Sequence, residues 1–262
     1  MKKIMLLMIL ALSICMCSVQ KEEKKEGNKI DGIPKKIVVG LDDTFAPMGF
    51  KNEKGELVGF DIDLARYVAK KLNTEVEFKA INWDSKIMDL NSGNIDLIWN
   101  GLTITPERAA ETAMSKPYIE NNQVIITRVD TSIRTKADLK GKIVGVQTQS
   151  SGEEKVKKLG EDKQFKEFKG YAQYDQAFLD LDAKRIDAIV IDEMFAKYIK
   201  NIKETQAKKE IYVILTENYG KEEMGIAAKK GNTKLIQAID SVIEEAKASG
   251  EYQKIYSKWF KN

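Results

Sequence analysis

The run Thr105-Pro106-Glu107-Arg108 has the composition of a helix start: a hydroxyl residue to cap it, a proline at the first helical position and an acid in the first turn. Arg108 is out of place there, because a cation near a helix N-terminus meets the positive end of the helix dipole. A residue that breaks a local rule points to a site, and a guanidinium can grip a carboxylate through two parallel hydrogen bonds. The plain alternative is a surface arginine paired with Glu107 or Glu111. Asp192 closes the apolar run 186–191, and open α/β sheets bind ligands at the carboxyl ends of such strands. Asp42 closes an earlier apolar run in the same way. Phe45 and Trp83 stand beside loop-like segments, where they read either as rings that stack on a ligand or as ordinary lid and core packing. A free amino acid carries one carboxylate and one ammonium group. Arg108 can hold the first and Asp192, on a separate series of strands, the second. Each series alone satisfies half of the zwitterion, so such a ligand favours a closed state that satisfies both.

Other chemistry is excluded by missing residues. The chain has no histidine, which removes histidine triads, histidine general bases and histidine metal sites. Its two cysteines, Cys15 and Cys17, fall in an N-terminal leader. The folded body therefore lacks a disulfide, a thiol nucleophile and a thiolate metal site, and no metal or cofactor is expected. Lys and Arg total 43 against 40 Asp and Glu, a net +3 that is too small and dispersed for a nucleic-acid partner. With 43% hydrophobic and 32% charged residues, the body reads as globular, with length for one large or two modest domains.

The elements that must position these residues follow from periodicity. Residues 35–41 (KKIVVGL) form a β-branched run, a buried first strand, followed by a loop over 42–50 with Pro47 and Gly49. A short strand or turn over 56–60 leads to a helix in which Ala65, Val68, Ala69 and Leu72 recur at i, i+3, i+4 and i+7, ended by Asn73. Residues 75–80 alternate as a strand, 85–91 are helical, and 95–99 form a buried strand after the Ser92-Gly93-Asn94 turn. This alternation predicts a mostly parallel sheet flanked by helices. It restarts after Ile125, with strands over 143–146, 168–171, 186–191 and 211–215, so two lobes are expected. Two amphipathic stripes end the chain: Leu235, Ile239, Val242, Ile243 and Ala246, stopped near Gly250, then Tyr252, Ile255, Tyr256, Trp259 and Phe260. Their aromatics are expected to pack in the core.

The first seventeen residues read as an export leader. Lys2 and Lys3 precede an apolar run over 4–14, shorter than the ~20 residues of a spanning helix and typical of a signal peptide. Leu12-Ser13-Ile14-Cys15-Met16-Cys17 resembles a bacterial lipobox, with Ile14 before Cys15 and Met16 before Cys17 where a small residue is expected. Lipid attachment at one of these cysteines is expected, with an ordinary cleaved signal as the alternative. The Lys/Glu-rich stretch over 18–33 reads as a flexible tether. The exported protein is then periplasmic or on the cell surface, held to the membrane by its lipid.

Several segments together resemble the bacterial extracellular solute-binding protein family 3, the polar amino-acid binding proteins of ABC importers. They are VGLDDTFAPMGF at 39–50, GELVGFDIDLA at 55–65, NWDSKIMDLNSGNIDLIWNGLTITPER at 82–108, SKPY at 115–118, DLKGKIVGVQTQSSGE at 138–153 and RIDAIVIDE at 185–193. The resemblance implies an α/β, two-lobe, type II periplasmic-binding-protein fold. Each lobe would be a mixed, mostly parallel sheet flanked by helices, with ligand in the interlobe cleft. Lobe 1 would span 34–120 plus 220–262 and lobe 2 121–219, joined by hinge strands near 119–124 and 215–220. Phe45 and Trp83 would sandwich the ligand side chain. Arg108 would bind the α-carboxylate, helped by backbone and hydroxyl groups at Thr103 and Ser151, and Asp192 the α-ammonium. Asn100, Gly101 and Gln147 would line the same pocket, with Asp42 reaching the ligand side chain. Gln149 stands where relatives often have glycine, and Ile191 where some have a polar side-chain reader. The implied ligand is a polar or basic L-amino acid: arginine or lysine, glutamine or cystine. The implied partners are an ABC permease and its ATPase, with the binding protein itself a monomer.

Two other classes compete. A dehydratase on the same fold would need an acid or base aimed at a reacting atom, and only carboxylates, lysines and tyrosines remain for that role. A receptor lobe would need a membrane partner to carry its signal.

Overall fold

In the computed structural model, which describes residues 32–260, the β-branched apolar runs become strands and the 3.6-periodic segments become helices. The chain proceeds as β1 (Lys36–Leu41), β2 (Thr44–Phe45), β3 (Gly49–Lys51), β4 (Leu57–Val58), α1 (Phe60–Lys71), β5 (Glu75–Ala80), α2 (Lys86–Ser92), β6 (Leu97–Thr103), α3 (Pro106–Glu111) and β7 (Thr112–Met114). It continues through β8 (Ile119–Arg128), β9 (Ile143–Gln147), α4 (Ser151–Leu159), β10 (Glu167–Tyr171), α5 (Tyr174–Asp182), β11 (Ala188–Asp192), α6 (Glu193–Ala207) and β12 (Tyr212–Ile214). It ends with β13 (Lys221–Lys229), α7 (Thr233–Ser249) and α8 (Glu251–Trp259). Cys15, Cys17 and most of the expected tether lie outside the described residues.

One sheet path carries the fold, in the order β10-β9-β11-β8-β13-β6-β1-β5. At one end β1 runs parallel to β5 and β6, and at the other β9 runs parallel to β10 and β11. The two parallel cores, each served by its own helices, meet at an antiparallel pair in the middle. There Ile119–Asn122 of β8 face Lys221–Met224 of β13. This is the two-lobe, type II periplasmic-binding-protein architecture, mixed α/β in each half. Burial on both faces explains why β6 and β11, buried at every position, begin as apolar runs over 97–99 and 188–191.

The second linking strand differs from expectation. It lies at Lys221–Lys229, while residues 215–220 approach β8 through separate bonds, Leu215 N–H to Ile125 O at 2.9 Å, Tyr219 N–H to Gln123 O at 2.7 Å and Gln123 N–H to Gly220 O at 3.1 Å. Glu222 and Glu223 stand side by side at the start of β13 and hide its alternation, because Glu222 is buried while Glu223 is exposed.

The terminal aromatics pack as expected. Tyr252, Tyr256 and Phe260 set their ring edges against the fully buried Phe60 of α1, at centroid separations of 5.7, 6.0 and 5.2 Å. Burying a ring of that size contributes about 1.5–3 kcal/mol, so α8 is clamped onto α1. In α1 itself, Asp61 and Asp63 lie in the first turn and Lys70 and Lys71 in the last, each on the favourable side of the helix dipole.

Candidate ligand-binding site

A cavity lies between the two halves, with about 290 Å3 of space not filled by protein atoms, part of it open to solvent. Its lining contains all ten residues singled out in the sequence, namely Asp42, Phe45, Trp83, Asn100, Gly101, Thr103, Arg108, Gln147, Ser151 and Asp192, together with Ser150. Gln147 and Asp192 stand at the carboxyl ends of β9 and β11, and Thr103 ends β6. Trp83 opens a short 3-10 turn ahead of α2.

Thr105 caps α3 as its composition predicts, its hydroxyl oxygen accepting the Arg108 N–H at 3.2 Å. Arg108 does not pair with Glu107 or Glu111 at the surface. It is 5% exposed and donates from Nη1 to Thr103 O at 2.9 Å and from Nη2 to Gln149 O at 3.3 Å and Glu154 Oε1 at 3.1 Å. These contacts leave part of its five-donor fork available. The nearby start of α4 adds orphan N–H groups and a positive dipole end. Ser150 caps that helix by accepting the Glu153 N–H at 3.2 Å. Gln149 takes φ 58°, so this turn uses the left-handed conformation that glycine adopts most easily.

Asp192 is buried, and its firm donor is Asn121 Nδ2 at 2.7 Å. Among the described residues no cationic side chain forms a salt bridge with it. Burial, then the charge of Glu222, hold its carboxyl well above the ordinary range. Asp42 is likewise buried and surrounded by neutral donors. Its Oδ1 accepts from Thr44 N at 3.0 Å, Thr44 Oγ1 at 2.7 Å and Gln173 Nε2 at 3.4 Å, and its Oδ2 from Gln147 Nε2 at 2.8 Å. Burial raises its pKa against the pull of these hydrogen bonds. The Asn100 side-chain oxygen accepts the Asp42 N–H at 3.1 Å.

Phe45 stands between the cavity and the core. It lines the cavity, and its ring packs against Phe195 at 5.2 Å and Tyr174 at 6.2 Å. Gly101, at φ 60°, passes so close that a Cβ there would lie 2.9 Å from Phe45 Cε1. Only glycine suits both its conformation and that approach. Asp61 Oδ2 accepts the Gly101 N–H at 2.8 Å and fixes this stretch of β6. Burial pushes the Asp61 carboxyl up to about 7.

Sequence reasoning missed Lys86, which is 3% exposed. Its Nζ donates to Trp83 O at 3.0 Å and Gln149 O at 2.9 Å, and it lies 4.9 Å from the centre of the Trp83 ring. The available signal was its spacing four residues before Leu90, the other buried position of α2. Burial, with the Arg108 charge second, lowers its pKa to about 7. The folded protein therefore holds this proton less tightly than the unfolded chain. The resulting penalty is fully present below about pH 7 and fades as pH rises toward the ordinary value. Lys86→Met is expected to raise the melting temperature more at pH 6 than at pH 9. Equal shifts at the two pH values would show that no buried charge is carried here.

The family model of the bacterial extracellular solute-binding proteins, family 3, matches residues 37–262. The L-cystine-binding protein TcyJ of Escherichia coli (strain K12) is 33% identical over 227 residues, 86% of this chain and 82% of that protein. The arginine-binding extracellular protein ArtP of Bacillus subtilis (strain 168) is 30% identical over 264 residues, 99% of this chain and 98% of that protein. Among solved structures, an ancestral arginine-binding protein bound to arginine superimposes with a TM-score of 0.79 at 42% identity. That match covers 87% of this chain and 99% of that one.

Proposed function

The chain belongs to the bacterial extracellular solute-binding proteins, family 3, and from that premise we propose that it captures a free basic L-amino acid outside the cytoplasmic membrane and delivers it to an ABC importer. The observation that carries this reading is the separation of opposite charge in one cavity. Arg108 and the start of α4 offer donors at one place, and Asp192, without a salt-bridge partner among the described residues, offers a carboxylate at another. The zwitterion of an amino acid supplies a partner to each.

The side-chain end favours a third charge. Asp42 is 3% exposed and bonded only to neutral donors, so a guanidinium or ammonium would gain a charge-assisted bond there. Arginine or lysine suits it ahead of glutamine, whose side chain would replace one neutral donor by another, and ahead of cystine, whose distal ammonium comes with a carboxylate that Asp42 would oppose. Phe45 and Trp83 would pack against the aliphatic part of such a side chain. Lobe limits of 34–120 plus 220–262 and 121–219 agree with the sheet order, in which β8 and β13 are the strands that cross between the parallel cores. Delivery would follow export by the N-terminal leader, with lipid attachment at Cys15 or Cys17 holding the tether to the membrane.

The test is thermal. Protein from Gln20 onward, unfolded and refolded to strip bound ligand, is melted with each free L-amino acid. Ligand at ~100 times its dissociation constant stabilises by about 2.7 kcal/mol, which a melting curve resolves. A rise with arginine or lysine supports the reading; a rise with glutamine, histidine or cystine alone removes the basic side chain from it. No rise with any amino acid, or measurable turnover of prephenate or arogenate, would overturn the binding reading itself.

A further inference from the structure

Glu222 of β13 is 5% exposed and sits where the two halves of the sheet join. Its Oε2 accepts from Thr103 Oγ1 at 3.0 Å, Ser151 Oγ at 3.2 Å and Gln123 Nε2 at 3.1 Å. Thr103 of β6 and Ser151 of α4 both line the ligand cavity, from opposite halves of the fold. Glu222 thus stands behind that wall and holds its two hydroxyl residues together. On the outer side Lys155 Nζ pairs with Glu222 Oε1 at 3.0 Å.

Glu222 is also tied to Asp192. Asn121 Nδ2 lies 2.7 Å from Asp192 Oδ1 and 3.5 Å from Glu222 Oε2. Two carboxylate oxygens that close to one nitrogen are roughly 6 Å apart or less, a range in which like charges oppose each other's ionisation. Around the pair, acceptors outnumber donors. Asn121 Oδ1 and Gln123 Oε1 are buried with no donor among the described residues, while their amide nitrogens are turned to the carboxylates. Bare buried acceptors are costly, and this cluster suits a group that brings several N–H donors and a positive charge.

We propose that Glu222 is a positioning residue of the ligand site, forming with Asp192 a carboxylate pair that keeps one proton until the ammonium group of an amino acid displaces it. This rests on the reading of the cavity as an amino-acid site. The retained proton is assigned to Asp192, the member that lines the cavity, while Glu222 stays paired with Lys155 behind it. The ammonium takes the place of that proton, which leaves for solvent. The charged and titratable groups facing the pair are Lys155 of α4, Arg108 of α3 and Tyr174 of α5, while the neighbouring Lys221 and Glu223 of β13 are exposed on its other side. Burial and the Glu222 charge both raise the pKa of Asp192, in keeping with a proton held near neutral pH.

The experiment is calorimetric titration with L-arginine, L-glutamine, L-histidine and L-cystine in phosphate and in Tris near pH 7. The difference in apparent enthalpy between buffers counts protons released. All four probes carry the same α-ammonium, so any that binds reports on the pair. Wild-type protein should release about half a proton per ligand or more at pH 7, and its affinity should rise by up to tenfold per pH unit from pH 6 to 7. Glu222→Gln preserves the shape and should release less than half as many protons, with a flattened pH profile. Equal proton release by both proteins would overturn the role of Glu222 while leaving the amino-acid reading intact. Failure of all four probes to bind wild-type protein would overturn both. Should Glu222→Gln not fold, Lys155→Met supplies the second arm. Losing that outer charge should move the pH at which the proton is released upward, and an unmoved profile would overturn the proposal.

Discussion

Arg108→Ala is expected to weaken binding of L-arginine, or of whichever amino acid the melting panel selects, by at least a hundredfold. On the proposed reading the ligand carboxylate enters a buried site where Arg108 is its charge partner. Truncating one member of a buried, hydrogen-bonded charge pair costs about 2–5 kcal/mol, or roughly thirty- to several-thousandfold in affinity. Among the described residues no other cation lines the cavity, and Lys86 is committed to Trp83 O and Gln149 O. The fold should survive, because Gln149 O keeps the Lys86 bond and the Arg108 contacts that are lost are those to Thr103 O, Gln149 O and the partly exposed Glu154. Arg108→Lys should recover part of the loss, since a point charge replaces the guanidinium without its paired donors. Titration calorimetry measures the affinity, and circular dichroism checks the fold. Affinity within tenfold of wild type for Arg108→Ala would refute the carboxylate clamp.

How far the sequence revealed this molecule depended on whether a residue obeyed the period of its own element. Strands β1 and β11 were legible because burial makes them apolar runs, β5 because its residues alternate, and α3 because Thr105 and Pro106 announce a helix start. Arg108 and Asp192 were legible as local exceptions: a cation at the wrong helix end and an acid closing an apolar strand. Thr103, Gln147 and Ser151 carry no such signal and came only through family likeness. The linking strands were harder. In β8, Asn121 and Gln123 occupy buried positions, and in β13 Glu222 does, so hydrophobic alternation fails where the sheet halves meet. Their reason for being polar lies far along the chain: Glu222 answers to Thr103, 119 residues away, and Asn121 to Asp192, 71 residues away. Lys86 hid in the same manner, since a lysine in the first turn of a short helix reads as solvated until its carbonyl partners are known.

Asp192→Asn should lose ligand and gain stability. The loss follows because an amide cannot supply the negative charge on which the ammonium group depends, and a hundredfold or greater weakening is expected on the same reasoning as for Arg108. The gain follows from the sign of the pKa shift. The folded protein holds the Asp192 proton more tightly than the unfolded chain does. The ionised carboxylate therefore destabilises the fold above its raised pKa, and the penalty is relieved as pH falls toward the ordinary carboxylate value. An asparagine keeps an acceptor for Asn121 Nδ2 without that charge. Ligand-free Asp192→Asn should melt above ligand-free wild type at pH 8, by about 2–4 °C per kcal/mol relieved, with the difference shrinking at pH 4 to 5. Adding amino acid should then reverse the order at pH 8, because only the wild type gains from binding. Normal binding by the variant, or a lower melting temperature at pH 8, would contradict this. A buried carboxylate that costs stability until its ligand arrives ties occupancy to the compact state: the closed cleft is favoured most when the ammonium group is in place.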